Sequence, residues 1–89
     1  MYRVVLEVVE VRGECPAKYK VGEKMTFDQS ILNLKETDRV CIYALSSVLP
    51  YVTALYRDTN PEDWINRKEI IGCPDPEKLV VFKVLRIPV

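Results

Sequence analysis

Tyr2-Arg3-Val4-Val5-Leu6-Glu7-Val8-Val9-Glu10-Val11 puts Tyr2, Val4, Leu6 and Val8 on one face of a strand and Val5, Val9 and Val11 on the other. A side-chain period of two with apolar residues on both faces describes a strand covered on both sides for much of its length. Leu79 to Ile87 has the same character through Leu79, Val80, Val81, Phe82, Val84, Leu85 and Ile87. Two such strands belong at the centre of a sheet, as antiparallel neighbours. That pairing brings the exit of the first strand to the same end as the entry to the last.

Between them, Lys18 to Phe27 alternates, with Tyr19, Val21, Met25 and Phe27 facing one way and Lys18, Lys20, Lys24 and Thr26 the other. This reads as a strand with one wet face, interrupted at Gly22 by a bulge or a tight hairpin. Asp28 to Asp38 reads as a connection holding one short strand or turn around Ile31 to Leu34. Thr37 or Asp38 then caps a helix to about Arg57, with Cys41, Leu45, Val48, Val52 and Leu55 at helical spacing and Ile42, Leu49 and Tyr56 widening the stripe. Pro50 lies inside it and predicts a kink, or a break into two helices. Asn60-Pro61-Glu62-Asp63 signals one further turn around Trp64, which would lie as a lid over the sheet edge. A strand at Glu69 to Gly72 completes the set. The expectation is one α+β domain spanning residues 1–89, a small antiparallel sheet of four to five strands packed on one main kinked helix.

The composition narrows the function. Thirteen basic residues balance thirteen acidic ones, so the long-range field that gathers phosphate backbones is missing and nucleic acid is not expected. No apolar run approaches the roughly 20 residues of a membrane helix, and no charged-then-apolar leader precedes the first strand, so a cytoplasmic protein without a membrane partner is expected. Gly13, Gly22 and Gly72 are scattered singly, which leaves no phosphate-cradling loop.

There is no histidine. Nucleophile and general-base arrangements that need imidazole are therefore excluded, and binding is favoured over turnover. The reactive groups are Cys15, Cys41 and Cys73, an odd number that reads as reduced thiols rather than a disulfide framework. Cys15 and Cys73 each precede proline, which stiffens a turn and exposes the thiol at a strand end. Cys41 falls near the third helical position, where the positive dipole end favours a thiolate, and also on the apolar stripe, where it packs as a small hydrophobe. If all three converge, they form a site for a metal, zinc or iron, with Asp75 as fourth ligand, or for a sulfur-bearing ligand. Their wide spacing is not that of paired metal-ligating cysteines. A Cys41 nucleophile activated by Arg39 or Lys18 is a further possibility. From a different class, the cysteines only pack, and the chain is an interaction module or homodimer pairing through the half-wet strand edge.

Val11-Arg12-Gly13-Glu14-Cys15-Pro16, Tyr19-Lys20-Val21-Gly22-Glu23, Cys41 with Ala44-Leu45, Pro50-Tyr51 and Cys73-Pro74-Asp75-Pro76 together resemble a family of small stand-alone prokaryotic proteins of uncharacterised function. The resemblance spans nearly the whole chain. It implies that Cys15, Cys41 and Cys73 stand where the family pattern carries cysteine, and it implies no activity. In many members histidine stands where this chain has Tyr19, so no catalytic role carries over.

Overall fold

A computed structural model describes residues 1–89. Its strands are β1 (Tyr2–Val11), β2 (Lys24–Asp28), β3 (Ile31–Leu32), β4 (Ile70–Gly72) and β5 (Val80–Pro88), and its one α-helix is α1 (Ile42–Tyr56). The sheet is antiparallel throughout, in the order β3-β2-β1-β5-β4. The terminal strands are central neighbours, as their two-faced apolarity requires, with Tyr2 opposite Pro88 and Val11 opposite Val80. The register shifts between Val8 and Glu10.

One face of the sheet carries α1. Val4, Leu6, Val8, Val80 and Phe82 from the centre meet Val48, Val52 and Leu55 from the helix, all in one core with Met25, Phe27 and Ile71. The opposite face has no second layer. Val5 is buried there among its neighbours, whereas Val9 and Ile87 stay open to solvent, so the two-sided cover expected for the central strands exists on one side only. A chain with a single helix cannot cover both faces.

The segment read as one strand from Lys18 to Phe27 is shorter. Two tight turns use up its first half: Lys18 N–H donates to Cys15 carbonyl at 2.8 Å and Glu23 N–H to Lys20 carbonyl at 3.0 Å. Lys18 accordingly has φ 59° and Gly22 φ 96°. Val21, expected to face inward, is 67% exposed at the second turn, while Thr26, expected on the wet face, is 1% exposed. Thr26 is covered by the following connection. Its N–H donates to Thr37 Oγ1 at 3.0 Å and its hydroxyl to Glu36 carbonyl at 2.6 Å, and Lys24 exchanges bonds with Asp38 through its N–H and carbonyl. With β3 beyond it, β2 has no free edge. The pairing edge expected at Lys18 to Phe27 does not exist, because residues 31–38 fill it.

Those same bonds explain where the helix starts. Thr37 and Asp38 serve β2, so α1 begins only after Cys41, which occupies the N-cap position with no side-chain capping bond. Cys41 is therefore outside the helix, not at its third position. Pro50 sits inside α1 without splitting it. The buried stripe is Ala44, Val48, Val52 and Leu55, while Ile42 and Leu49 face solvent. The other helix end is held by Arg86, whose guanidinium donates to the carbonyls of Leu55 at 2.8 Å and Arg57 at 3.1 Å and lies over the Tyr2 ring. Such a cation satisfies open carbonyls and opposes the negative dipole end.

Two short 3₁₀ helices complete the chain. Leu34–Glu36 is capped by Asn33, in the connection where a short strand or turn was expected. Trp64–Arg67 is capped by Asp63, three residues later than the Asn60 signal suggested; Asn60 instead accepts from Glu62 N–H in a preceding turn. Trp64 is no lid. It is exposed and meets Tyr51 edge-on, and Ile65 takes the buried place.

Arg3 and Asp28 form a two-pronged pair across β1 and β2, with Asn33 donating to the same carboxylate. These bonds hold the Asp28 carboxyl below its usual pKa. A carboxyl so depressed contributes stability that is present above the unfolded carboxylate pKa and lost as pH falls through the folded one.

Candidate functional site

Three turns meet at one end of the sheet. The first follows β1: Gly13 has φ 70° and a side chain there would meet Glu77 carbonyl at 3.0 Å. Only glycine lets the first turn lie so close to the loop between β4 and β5. The pairing of Val11 with Val80 is extended by Arg12 N–H to Leu79 carbonyl at 2.7 Å, which holds the Cys15-Pro16 turn beside the Cys73-Pro74 turn. The third contribution is the start of α1. Ser47 on its first turns donates to Gly72 carbonyl, tying the helix to the end of β4.

The result is a cavity of about 320 Å³ with Cys15, Cys41 and Cys73 all in its wall. Pro16, Ala17, Tyr19, Tyr43, Ala44, Pro74 and Val80 supply most of the remaining lining, and Asp75 and Lys78 its charged part. A mainly apolar cavity with a few convergent polar groups is the usual form of a small-molecule site. All three thiols are free and half-buried.

The sulfurs share a cavity without forming a ligand cluster. No three side chains among His, Cys, Asp and Glu are arranged to hold a metal ion. Cys73 Sγ accepts from Val80 N–H at 3.1 Å and lies 3.7 Å from Lys78 carbonyl, so it is engaged in its own loop. Asp75, the expected fourth ligand, turns Oδ1 onto the N–H groups of Glu77 and Lys78 at 3.0 and 3.3 Å. Arg39, suggested as an activator of Cys41, gives its guanidinium to Ala17 carbonyl at 2.7 Å and Glu23 at 3.4 Å. Lys18 is on the exposed surface.

Tyr19 is the residue that strand patterning hid. Read as one more inward apolar residue, it is buried with its ring edge-on to Phe82, centroids 5.5 Å apart. Its hydroxyl accepts from Cys41 N–H at 2.9 Å and donates to Arg39 carbonyl at 3.2 Å. No sequence signal marks those bonds, because both partners lie on a segment that reaches Tyr19 only in the folded chain. Burial pushes the Tyr19 phenol above its usual value of 10.0; the bond from Cys41 lowers it, and the nearby Cys41, Cys15 and Glu23 raise it.

A tyrosine raised in the folded state favours the neutral form there, so its contribution to stability is complete below about pH 10 and lost as pH rises through the folded value. Tyr19→Phe is expected to flatten the alkaline limb of a stability–pH curve. At neutral pH it should cost about 1–2 kcal/mol, since it leaves the Cys41 N–H without its acceptor. Denaturant titrations of both proteins between pH 7 and 11 measure the two effects; parallel limbs would contradict the assignment.

The N-cap position makes a second expectation. Cysteine is not among the residues that cap helices well, and Ser at that place offers an oxygen to the open N–H groups of the first turn. Cys41→Ser should therefore fold with stability equal to wild type or up to about 1 kcal/mol higher. A thermal melt that falls well below wild type would show that the sulfur is needed for packing.

Comparisons of the chain with family models, with curated proteins and with solved structures give no match. The functional argument rests on the geometry of this cavity.

Proposed function

We propose that the domain is a binding module whose cysteine-lined cavity takes a compact, mainly apolar ligand with a soft, sulfur-bearing centre. The observation that carries this reading is the meeting of all three cysteines of the chain in one cavity. Their thiols come from three turns far apart in sequence, each with its own local hydrogen bonding. Polarizable sulfur in the wall attracts soft partners, and proline, alanine and valine beside it exclude water from them. The absence of imidazole and the spread of the thiols favour binding over turnover. The resemblance to small prokaryotic proteins with cysteine at these three places agrees with a role for the sulfurs as a set. No helix is long and apolar enough to cross a membrane.

The test uses protein purified anaerobically, with thiol alkylation followed site by site. Thioanisole, an inert apolar thioether, should slow alkylation of Cys15, Cys41 and Cys73 together and raise the melting temperature. Alkylation of all three at unchanged rates would reject the reading. Zinc or iron near one equivalent in the purified protein would replace it with a metal site.

A further inference from the structure

We propose that the sheet face turned away from α1 joins two copies of this chain, stacked face to face about a two-fold axis that runs along the strands between β1 and β5. Cross-strand partners share a face, so the register lays this surface out row by row. Ile31, Asp28, Arg3 and Ile87 form one row, Thr26, Val5 and Leu85 the next, and Lys24, Glu7, Lys83 and Ile70 a third. Val9, at the register shift, lies beside Lys83 and Ile70. Val9, Ile31, Ile70 and Ile87 are all exposed. Apolar residues gathered on one face and framed by charges mark an association surface.

The relief of this face fits its own copy. On one flank the 3₁₀ turn Leu34–Glu36 stands over β2, held by the Thr26 hydroxyl on Glu36 carbonyl and by Lys24 Nζ at 3.6 Å from the Glu36 carboxylate. Its Leu34 is exposed. On the other flank Val9, Glu69, Ile70, Lys83 and Val84 line a shallow hollow. The two-fold axis lays β1 of one copy over β5 of the other and β2 over β4, so each ridge comes down on the partner's hollow. An interface of this kind must be self-complementary.

The charges obey the same operation. Arg3 is paired with Asp28 and Lys24 with Glu36, whereas Glu7, Lys83, Lys35 and Glu69 belong to no ion pair within the chain. Along the third row the axis sets Glu7 against the partner's Lys83, twice. It also brings Lys35 on the ridge toward the partner's Glu69 at the hollow. A strongly acidic or basic partner would find no matching field on such a face, and a chain of zero net charge does not repel its copy. Joining through the sheet edges is closed to it, because β3 has two residues and β4 three. Strands of nine and ten residues, flanked by one more on each side, give a face of about 30 by 15–20 Å. Stacking buries roughly 1,000 Å² in total, the size at which a specific interface begins. The cysteine-lined cavity is bounded by Tyr43 and Ala44 of α1, on the covered side of the sheet, so this proposal is independent of what that cavity binds.

The experiment is sedimentation equilibrium of reduced full-length protein from micromolar to millimolar concentration, where the mass should rise from one chain to two. Lys83→Glu sets a second carboxylate against Glu7 at two symmetric places and should weaken the dimer at least about tenfold; Glu7→Lys should do the same with Lys83. An equal mixture of these two variants should recover wild-type association as a heterodimer, because their altered charges oppose each other across the axis. Disturbed pairing within one sheet could not be mended by mixing. Circular dichroism checks that each variant folds, and Ile70→Asp, at an exposed place in the hollow, should weaken the dimer about tenfold without touching the Glu7 and Lys83 pair. A wild type that stays monomeric throughout would overturn the proposal, as would a dimer that none of the variants weakens or a mixture that fails to recover. A monomer that sediments with phosphatidylcholine vesicles would overturn it in favour of a lipid surface.

Discussion

Phe82→Ala is expected to lower stability by about 3–5 kcal/mol, the usual cost of emptying a buried aromatic site. Phe82 is fully buried on β5, opposite Val8 of β1 and Ile71 of β4, and its ring packs edge-on against Tyr19. The substitution thus empties the middle of the core and removes the support under one wall of the cavity. Domains of this size have about 5–15 kcal/mol in hand and lose about 4–8 °C per kcal/mol, so the melting temperature should fall by more than about 10 °C. Calorimetry or circular dichroism measures this. Thiol alkylation of the remaining folded protein adds a second reading, because Tyr19 freed from Phe82 no longer fixes the Cys41 backbone. A loss under about 1 kcal/mol would mean that Phe82 is not the packing centre the structure describes.

Pro50→Ala is expected to act in the opposite direction, raising stability by about 2–3 kcal/mol. Proline inside a helix has no N–H to give the carbonyl four residues earlier, and its ring crowds that turn, at about 3 kcal/mol relative to alanine. The hydroxyls nearest the carbonyl left without its bond, those of Ser46 and Ser47, are engaged elsewhere: Ser46 donates to Tyr43 carbonyl at 2.7 Å and Ser47 to Gly72 carbonyl. Pro50 itself is on the exposed side of α1, so little packing is lost with the ring. The alanine chain is freer when unfolded, which trims the gain by about 0.4–1 kcal/mol. Urea titration should show a higher midpoint with an unchanged slope. A lower midpoint would mean that the helix needs the proline to reach both the β4 end of the sheet and Arg86.

The α+β architecture was legible because its signals are local and redundant. Two long strands with apolar residues on both faces, a helical stripe through Val48, Val52 and Leu55, and Cys-Pro turns at the strand ends each survive small errors of register. Their consequence for the site was legible too: central antiparallel termini must bring Cys15 and Cys73 to one end, and Val11 does face Val80. The helix start was not. Asp38 looks like a better cap than Cys41, and it loses the position because Lys24 of a distant strand takes its side chain.

The same division runs through the whole chain. From sequence alone come the elements, the neutral charge, the lack of imidazole and the identity of the three thiols, all properties of composition or of residues a few places apart. Tertiary structure alone decided that β2 has no open edge, that Tyr19 holds Cys41, that Cys73 spends its sulfur on its own loop, and that the three thiols line a cavity without forming a metal-holding cluster. The physical reason is that a capping or hydrogen-bonding side chain has several acceptable partners along the chain, and the choice among them is made by whichever backbone the long-range strand pairing brings within about 3 Å.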